Sequence, residues 1–301
     1  MNKKTKLSIG LVLILVLSLL VAGCGGDKDK PAGEKTAAER LDGRIIGIEP
    51  GAGIMSKSEE VIEAYGLGEK YKLMDGSSAT MVAALSEAID NEEWVVVTGW
   101  TPHWKFAKWD LKYLEDPKGI FGGDEQIKTY VRKGLKEDMP DVYALLDNFN
   151  WTPEDMNTLM IQNLEEGADE YANAVAWIEA NADKVAKWIP EETSTEKGKV
   201  TMILVPWDTE IASNNVVKAV LQEKMGYEVD LLEVDAGAMY QGLASGDADG
   251  MIAAWMPTTH AHYVEATKDD IVDLGVNLDG TRIGWVVPSY MTIDSIEDLL
   301  K

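Results

Sequence analysis

Trp94-Val95-Val96-Val97-Thr98-Gly99-Trp100-Thr101-Pro102 and, later in the chain, Met251-Ile252-Ala253-Ala254-Trp255-Met256-Pro257 each run an apolar strand into Trp-x-Pro. Sliding Gly43 to Trp104 against Gly198 to Thr259 extends the match at a constant offset. Arg44-Ile45-Ile46-Gly47-Ile48 falls on Lys199-Val200-Thr201-Met202-Ile203, and both lead through a turn into a helix-like stretch. Each copy reads strand, helix, strand, helix, strand, which builds a parallel sheet covered by helices on both faces. Two copies predict two similar α/β lobes. Ligands of open parallel sheets sit beyond the carboxyl ends of the strands, so Trp100, Trp207 and Trp255 are expected to face one cleft between the lobes.

The stretch between the copies, Lys105 to Glu196, reads as mostly helical, punctuated at Pro117, Gly122-Gly123, Pro140, Pro153 and Pro190. Its longest helix is expected from about Pro153 to Trp188, with Trp177 and Trp188 packing into the core. Arg282 to Pro288 reads as a strand that crosses back to the first lobe, followed by a short helix from Ser295 to Leu300. This assigns residues 41–103 and 270–301 to lobe I and 104–269 to lobe II, with two crossings as the hinge.

Upstream, Lys3, Lys4 and Lys6 precede an apolar run from Leu7 to Ala22, shorter than the roughly 20 residues of a membrane span, and residues 1–23 read as a secretion signal. The run ends in Leu20-Val21-Ala22-Gly23-Cys24, which gives a lipoprotein signal peptidase room to cut and leaves Cys24 for lipid attachment. Cys24 is the single cysteine, so no internal disulfide is available. Residues 24–40 carry almost no large apolar side chain and are expected to be a flexible tether between lipid and lobes. No second apolar span follows, so the chain is not itself a permease; any transport role is that of a partner handing cargo to one. Without the signal, 25 basic residues face 52 acidic ones, a net charge of −27, which argues against nucleic acid or anionic lipid as partner.

Two loops carry the candidate chemistry. Glu49-Pro50-Gly51-Ala52-Gly53-Ile54-Met55-Ser56 leads into a helix and contains Ser56-x-x-Glu59, a capping-box pattern. Its glycines allow close backbone approach, and free N–H groups at a helix start favour an anion such as a carboxylate. Such turns are also common as structure alone, and this one lacks the length and lysine of a phosphate loop. Val205-Pro206-Trp207-Asp208-Thr209-Glu210 puts a tryptophan at the equivalent place in the second copy. Aromatic faces attract quaternary ammonium, at roughly 0.5–2 kcal/mol per contact. A trimethylated nitrogen has no N–H to satisfy a carboxylate, so a buried Asp would be left desolvated and unpaired, whereas an indole face avoids that cost. His260, five residues past Trp255, could donate to a ligand carboxylate. His260 and His262 at i and i+2 do not share a helix face, so no metal site is expected, and no nucleophile or acid pair points to an enzyme. No cofactor is expected either.

With these anchors, Gly47-Ile48-Glu49-Pro50-Gly51-Ala52-Gly53-Ile54-Met55, Thr98-Gly99-Trp100-Thr101-Pro102-His103-Trp104, Trp207-Asp208-Thr209-Glu210-Ile211-Ala212-Ser213 and Ala254-Trp255-Met256-Pro257-Thr258-Thr259-His260, the chain resembles the substrate-binding lipoproteins of glycine betaine and proline betaine ABC importers. The resemblance covers nearly the whole mature chain. It implies a two-lobed periplasmic-binding fold of type II that closes on its ligand, here a monomer anchored outside the cell membrane and serving an ABC permease. It also implies that Trp100, Trp207 and Trp255 cage the ammonium head, while the Gly53 and Ile54 amides and His260 hold the carboxylate. Met256 and Thr258 lie between matched positions, which leaves proline betaine, carnitine, choline, proline or a sulfonium compound open as ligands.

Overall fold

The computed structural model describes residues 35–301, of which Thr36–Lys301 form one compact unit. The expected signal, Cys24 and most of the tether lie outside the described residues. Ala37–Arg40, read above as tether, form a helical turn: Thr36 caps it reciprocally with Glu39, and Ala37 is buried.

Both copies of the repeat fold as the pattern dictates. In the first, β1 (Arg44–Ile46), α1 (Gly53–Ala64), β2 (Lys72–Met74), α2 (Ser78–Asp90) and β3 (Val97–Thr101) follow one another, and the strands pair in parallel in the order β2-β1-β3. Ser77 caps α2 by accepting from the Thr80 N–H. Then come β4 (Leu111–Tyr113), β5 (Glu125–Arg132), α3 (Pro140–Asn148), α4 (Pro153–Asn163) and α5 (Glu170–Ala180). The second copy supplies β6 (Lys199–Leu204), α6 (Asp208–Ala219), β7 (Glu228–Glu233), α7 (Ala236–Ser245) and β8 (Gly250–Met256), again parallel, in the order β7-β6-β8. A short α8 (Ala261–Thr267) and the long β9 (Ile271–Pro288) complete the chain, with a 3₁₀ turn at Ile296–Leu300. Thr101-Pro102 and Met256-Pro257, equivalent in the repeat, are both cis.

The chain is α/β as expected, but the sheet is mixed, in the order β2-β1-β3-β9-β5-β8-β6-β7 with β4 also on β9. β5 falls in the stretch read as helical. Its side chains alternate, Glu125, Ile127, Thr129 and Val131 inward with Gln126 outward, which is strand periodicity masked by charge. β9 has 18 residues and belongs to both copies: residues 271–281 run antiparallel to β5, and 282–286 antiparallel to β3. The single helix expected from Pro153 to Trp188 is instead α4, α5 and a further turn at Ala182–Val185. Gly167 takes φ +77°, which no helix accommodates, and Asp169 starts α5 afresh by capping the Ala172 N–H. Trp177 and Trp188 stack at 6.2 Å and 10° in the interior. Truncating so large a buried ring costs about 3–5 kcal/mol.

Candidate functional site

The three strand-end tryptophans meet. Trp100 lies at the end of β3, Trp207 at the N-cap of α6 and Trp255 near the end of β8, all buried, and they line one pocket. Ile48, Ala52 and Ile283 extend its apolar wall, and Gly53, Ile54, Thr259 and His260 form the rest. Every residue singled out for ligand contact therefore borders the same space.

The polar edge comes from two elements. α1 begins at Gly53, four residues earlier than the Ser56-x-x-Glu59 pattern requires, so that capping box does not form: Ser56 is already inside the helix, its N–H bonded to the Ala52 carbonyl. The consequence is chemical. Ala52 has no side chain with which to cap, and among the described residues the Gly53 and Ile54 N–H groups have no backbone acceptor. These two donors open the helix at the pocket wall, where its dipole favours negative charge. Gly53 also allows the approach across the cleft, since a Cβ there would sit 2.4 Å from the Thr259 carbonyl oxygen and 3.0 Å from His260.

His260 supplies a third donor. Its Nδ1 accepts from the Trp255 backbone N–H at 3.3 Å and lies 3.2 Å from the Tyr240 hydroxyl. An acceptor Nδ1 puts the proton on Nε2, which is buried and has no partner. Burial, aided by His262, lowers the imidazole to about 3, so it stays neutral and donates one N–H. Glu125 on β5 fixes the loop that carries it, accepting from the Thr258 N–H at 2.9 Å, the Thr259 N–H at 2.7 Å and the Thr259 hydroxyl at 2.5 Å.

The indoles are held at their edges. Trp255 Nε1 donates to Glu210 at 3.2 Å, and Trp207 Nε1 donates to Glu49 in the loop after β1. Burial pushes the Glu210 carboxyl up to about 8, so at neutral pH it is mostly un-ionised and adds little charge to the wall. Tyr263 on α8 reaches the Gly51 carbonyl at 2.6 Å, a second contact between the two copies. Trp100 meets the edge of His103 at 4.9 Å, and the Lys105 ammonium lies 4.2 Å from its ring centre. Burial and the Lys105 charge lower His103 to about 4, and its Nε2 stands 3.4 Å from Asp208. Burial raises the Asp208 carboxyl, but His103, Trp104 and Lys105 together bring it below its ordinary value.

Glu49, Glu125, Glu210, Lys105, Tyr240 and Tyr263 were not singled out in the sequence. Only Glu49 and Glu210 stood inside quoted motifs, and nothing local marks which of their neighbours they hold. Three aromatic faces and three neutral N–H donors suit a molecule with a positive, methylated end and an anionic end. Among the described residues no cluster of His, Cys, Asp and Glu could hold a metal, and no helix is long and apolar enough to cross a membrane.

The chain matches a family described as the substrate binding domain of ABC-type glycine betaine transport systems, over residues 27–180 and 198–301. It is 42% identical over 294 residues to the glycine betaine/carnitine transport binding protein GbuC of Listeria monocytogenes, covering 96% of this chain and 97% of that protein. Among solved structures it is similar to lactococcal OpuAC complexed with glycine betaine, at 39% identity and TM-score 0.46 over 52% of this chain and 63% of that one. The glycine betaine/L-proline-binding protein ProX of Borrelia burgdorferi matches at 34% identity and TM-score 0.47, over 53% and 63%. In both cases the match spans less than two thirds of the solved chain.

Proposed function

Because the chain belongs to the family of substrate-binding domains of ABC-type glycine betaine transport systems, we propose that it captures glycine betaine outside the cytoplasm and delivers it to a membrane permease. The family serves transport and is not a family of enzymes. In this reading Trp100, Trp207 and Trp255 surround the trimethylammonium head, and the Gly53 N–H, Ile54 N–H and His260 Nε2–H receive the carboxylate. The observation that carries it is the pairing of an apolar, three-indole pocket with a neutral imidazole whose buried Nε2–H has no partner. A buried donor left unpaired costs about 1–3 kcal/mol, which a ligand carboxylate would relieve. An osmoprotectant receptor must work at high ionic strength, and indole faces and buried N–H donors lose little to salt screening. The mature chain would be a monomer tied to the membrane by lipid on Cys24.

Calorimetry tests the assignment with three ligands. Glycine betaine should bind in the micromolar range, which requires about 8 kcal/mol. Choline, which keeps the head and lacks the carboxylate, should bind far more weakly. Equal binding of the two would remove Gly53, Ile54 and His260 from their roles, and tight proline binding without betaine binding would remove the cage. Carnitine is the second reading, supported by the name of the Listeria relative. It requires the same head and carboxylate, spaced further apart.

A further inference from the structure

Lys105 is fully buried, its Nζ has no hydrogen-bond partner, and that nitrogen lies 4.2 Å from the centre of the Trp100 ring. At that distance the ammonium is over the ring face and not at its edge. Trp100 lines the pocket and Lys105 does not, so the lysine occupies the face turned away from the pocket. A ligand cation held on the inner face would therefore share one indole with a protein cation on the outer face.

We propose that Lys105 sets the strength with which the cage holds a positive head: its ammonium competes with the ligand for the electron density of Trp100, and capture expels the lysine's proton. The proposal rests on reading Trp100 as a cage wall. Two cations on opposite faces of one ring oppose each other twice, through direct repulsion across a thickness of several ångströms and through rivalry for the same quadrupole. A neutral amine does neither. Burial brings the lysine down to about 7, with Asp208 acting in the opposite direction, so both forms are populated near neutrality. The charged and titratable groups acting on this corner are Asp208, the first residue of α6, and His103, two residues before the lysine; His103 is neutral there and Asp208 ionised. Glu210, at the indole N–H of Trp255, is a second buried group that changes charge in a neighbouring range. The contribution of Lys105 is therefore read as the change its replacement makes to the pH step.

The experiment is calorimetry of glycine betaine at about pH 6 and about pH 8.5, either side of the lysine's value, in buffers of different ionisation heat, on the wild type, Lys105→Met and Lys105→Arg. The wild type should bind about fivefold more weakly at the lower pH and release protons on binding. Lys105→Met, close in length and uncharged, should bind tightly at both pH values with most of the step gone. Lys105→Arg, charged throughout, should bind weakly at both. The carbon analogue 3,3-dimethylbutanoate, with the same shape and carboxylate but no positive nitrogen, should respond to none of these changes. A Lys105→Met protein that keeps the full pH step, or a wild type without one, overturns the proposal while leaving betaine binding intact. Absence of betaine binding at either pH strikes the cage reading itself and takes the lysine's role with it. Should the arginine variant fail to fold, the wild type and Lys105→Met decide the matter alone.

Discussion

Trp207 and Glu49 come from opposite copies of the repeat, and the Trp207 indole N–H donates to the Glu49 carboxylate across the cleft. The bond ties the two copies together and orients one of the three pocket indoles at the same time. A hydrogen bond to a charged acceptor contributes about 1.5–3 kcal/mol. Glu49→Ala should accordingly raise the betaine dissociation constant by about tenfold, mainly through faster release, and Glu49→Gln should recover part of the loss. Stopped-flow tryptophan fluorescence reads both rates; an unaltered release rate in Glu49→Ala would leave the contact without a holding role.

Each cage ring should matter separately. Trp100→Ala, Trp207→Ala and Trp255→Ala are each expected to weaken betaine binding by roughly 1–3 kcal/mol, from the lost cation contact together with lost burial. Titration calorimetry measures this directly. If any two of the three bind as the wild type does, the cage is misassigned.

Gly53 offers a test of closure that leaves the donors in place. A methyl group there would meet the Thr259 backbone carbonyl, which cannot rotate aside. Gly53→Ala should therefore fold and melt as the wild type does without ligand, yet fail to close over betaine. At a ligand concentration a hundredfold above its Kd the wild type gains about 2.7 kcal/mol of stability. The variant should gain almost none in a thermal melt, and a normal ligand-induced rise would show that the approach is looser than described.

Buried titratable groups give the stability curve an unusual composition. His103 and His260 have folded values lowered from 6.5 to about 4 and about 3, so their contribution is complete above the unfolded value and lost as pH falls toward the folded ones. Glu210 is raised from 4.5 to about 8, so its contribution is present below the unfolded value and lost as pH rises through the folded one. Near pH ~5.5, unfolding thus takes up protons at the histidines and releases one at Glu210. Glu210→Gln should increase the net uptake by about one proton, read from the slope of unfolding free energy against pH. No change in slope would mean that Glu210 is ionised in the folded protein.

The parallel cores were legible because the sequence carries them twice, and each copy ends in a Trp-x-Pro that few other contexts produce. The strand at Arg282 to Pro288 was legible too, but β5 and the first half of β9 were not, for a physical reason. Their pairing is between distant segments, and Asp273, Gly275, Asn277, Asp279 and Gly280 give β9 the composition of a loop. Only the partner strand makes it extended. At the site, rare aromatic residues at strand ends announced themselves, whereas Glu125, Glu210 and Lys105 read as ordinary surface charges. What makes Glu125 important is Thr259, 134 residues away, and no local pattern encodes that encounter. The misplaced start of α1 has the opposite origin: Ser56-x-x-Glu59 is a sound capping signal, but the backbone had already turned helical at Gly53.

β9 ties the two sheets together. Between Thr281, opposite Glu125, and Asp279, opposite Gln126, the ladder skips Gly280, which takes φ +79°. Just beyond that bulge the strand passes from one sheet to the other. Were the two sheets to part, this ribbon and the connection from β4 to β5 would both have to bend, and in β9 the bulge at Gly280 is where the ladder is already interrupted. Glu125 sits beside that bulge and holds the loop before His260, so bending there would also pull on the imidazole that would meet the cargo. Release and loss of the anion's third donor would then be one movement.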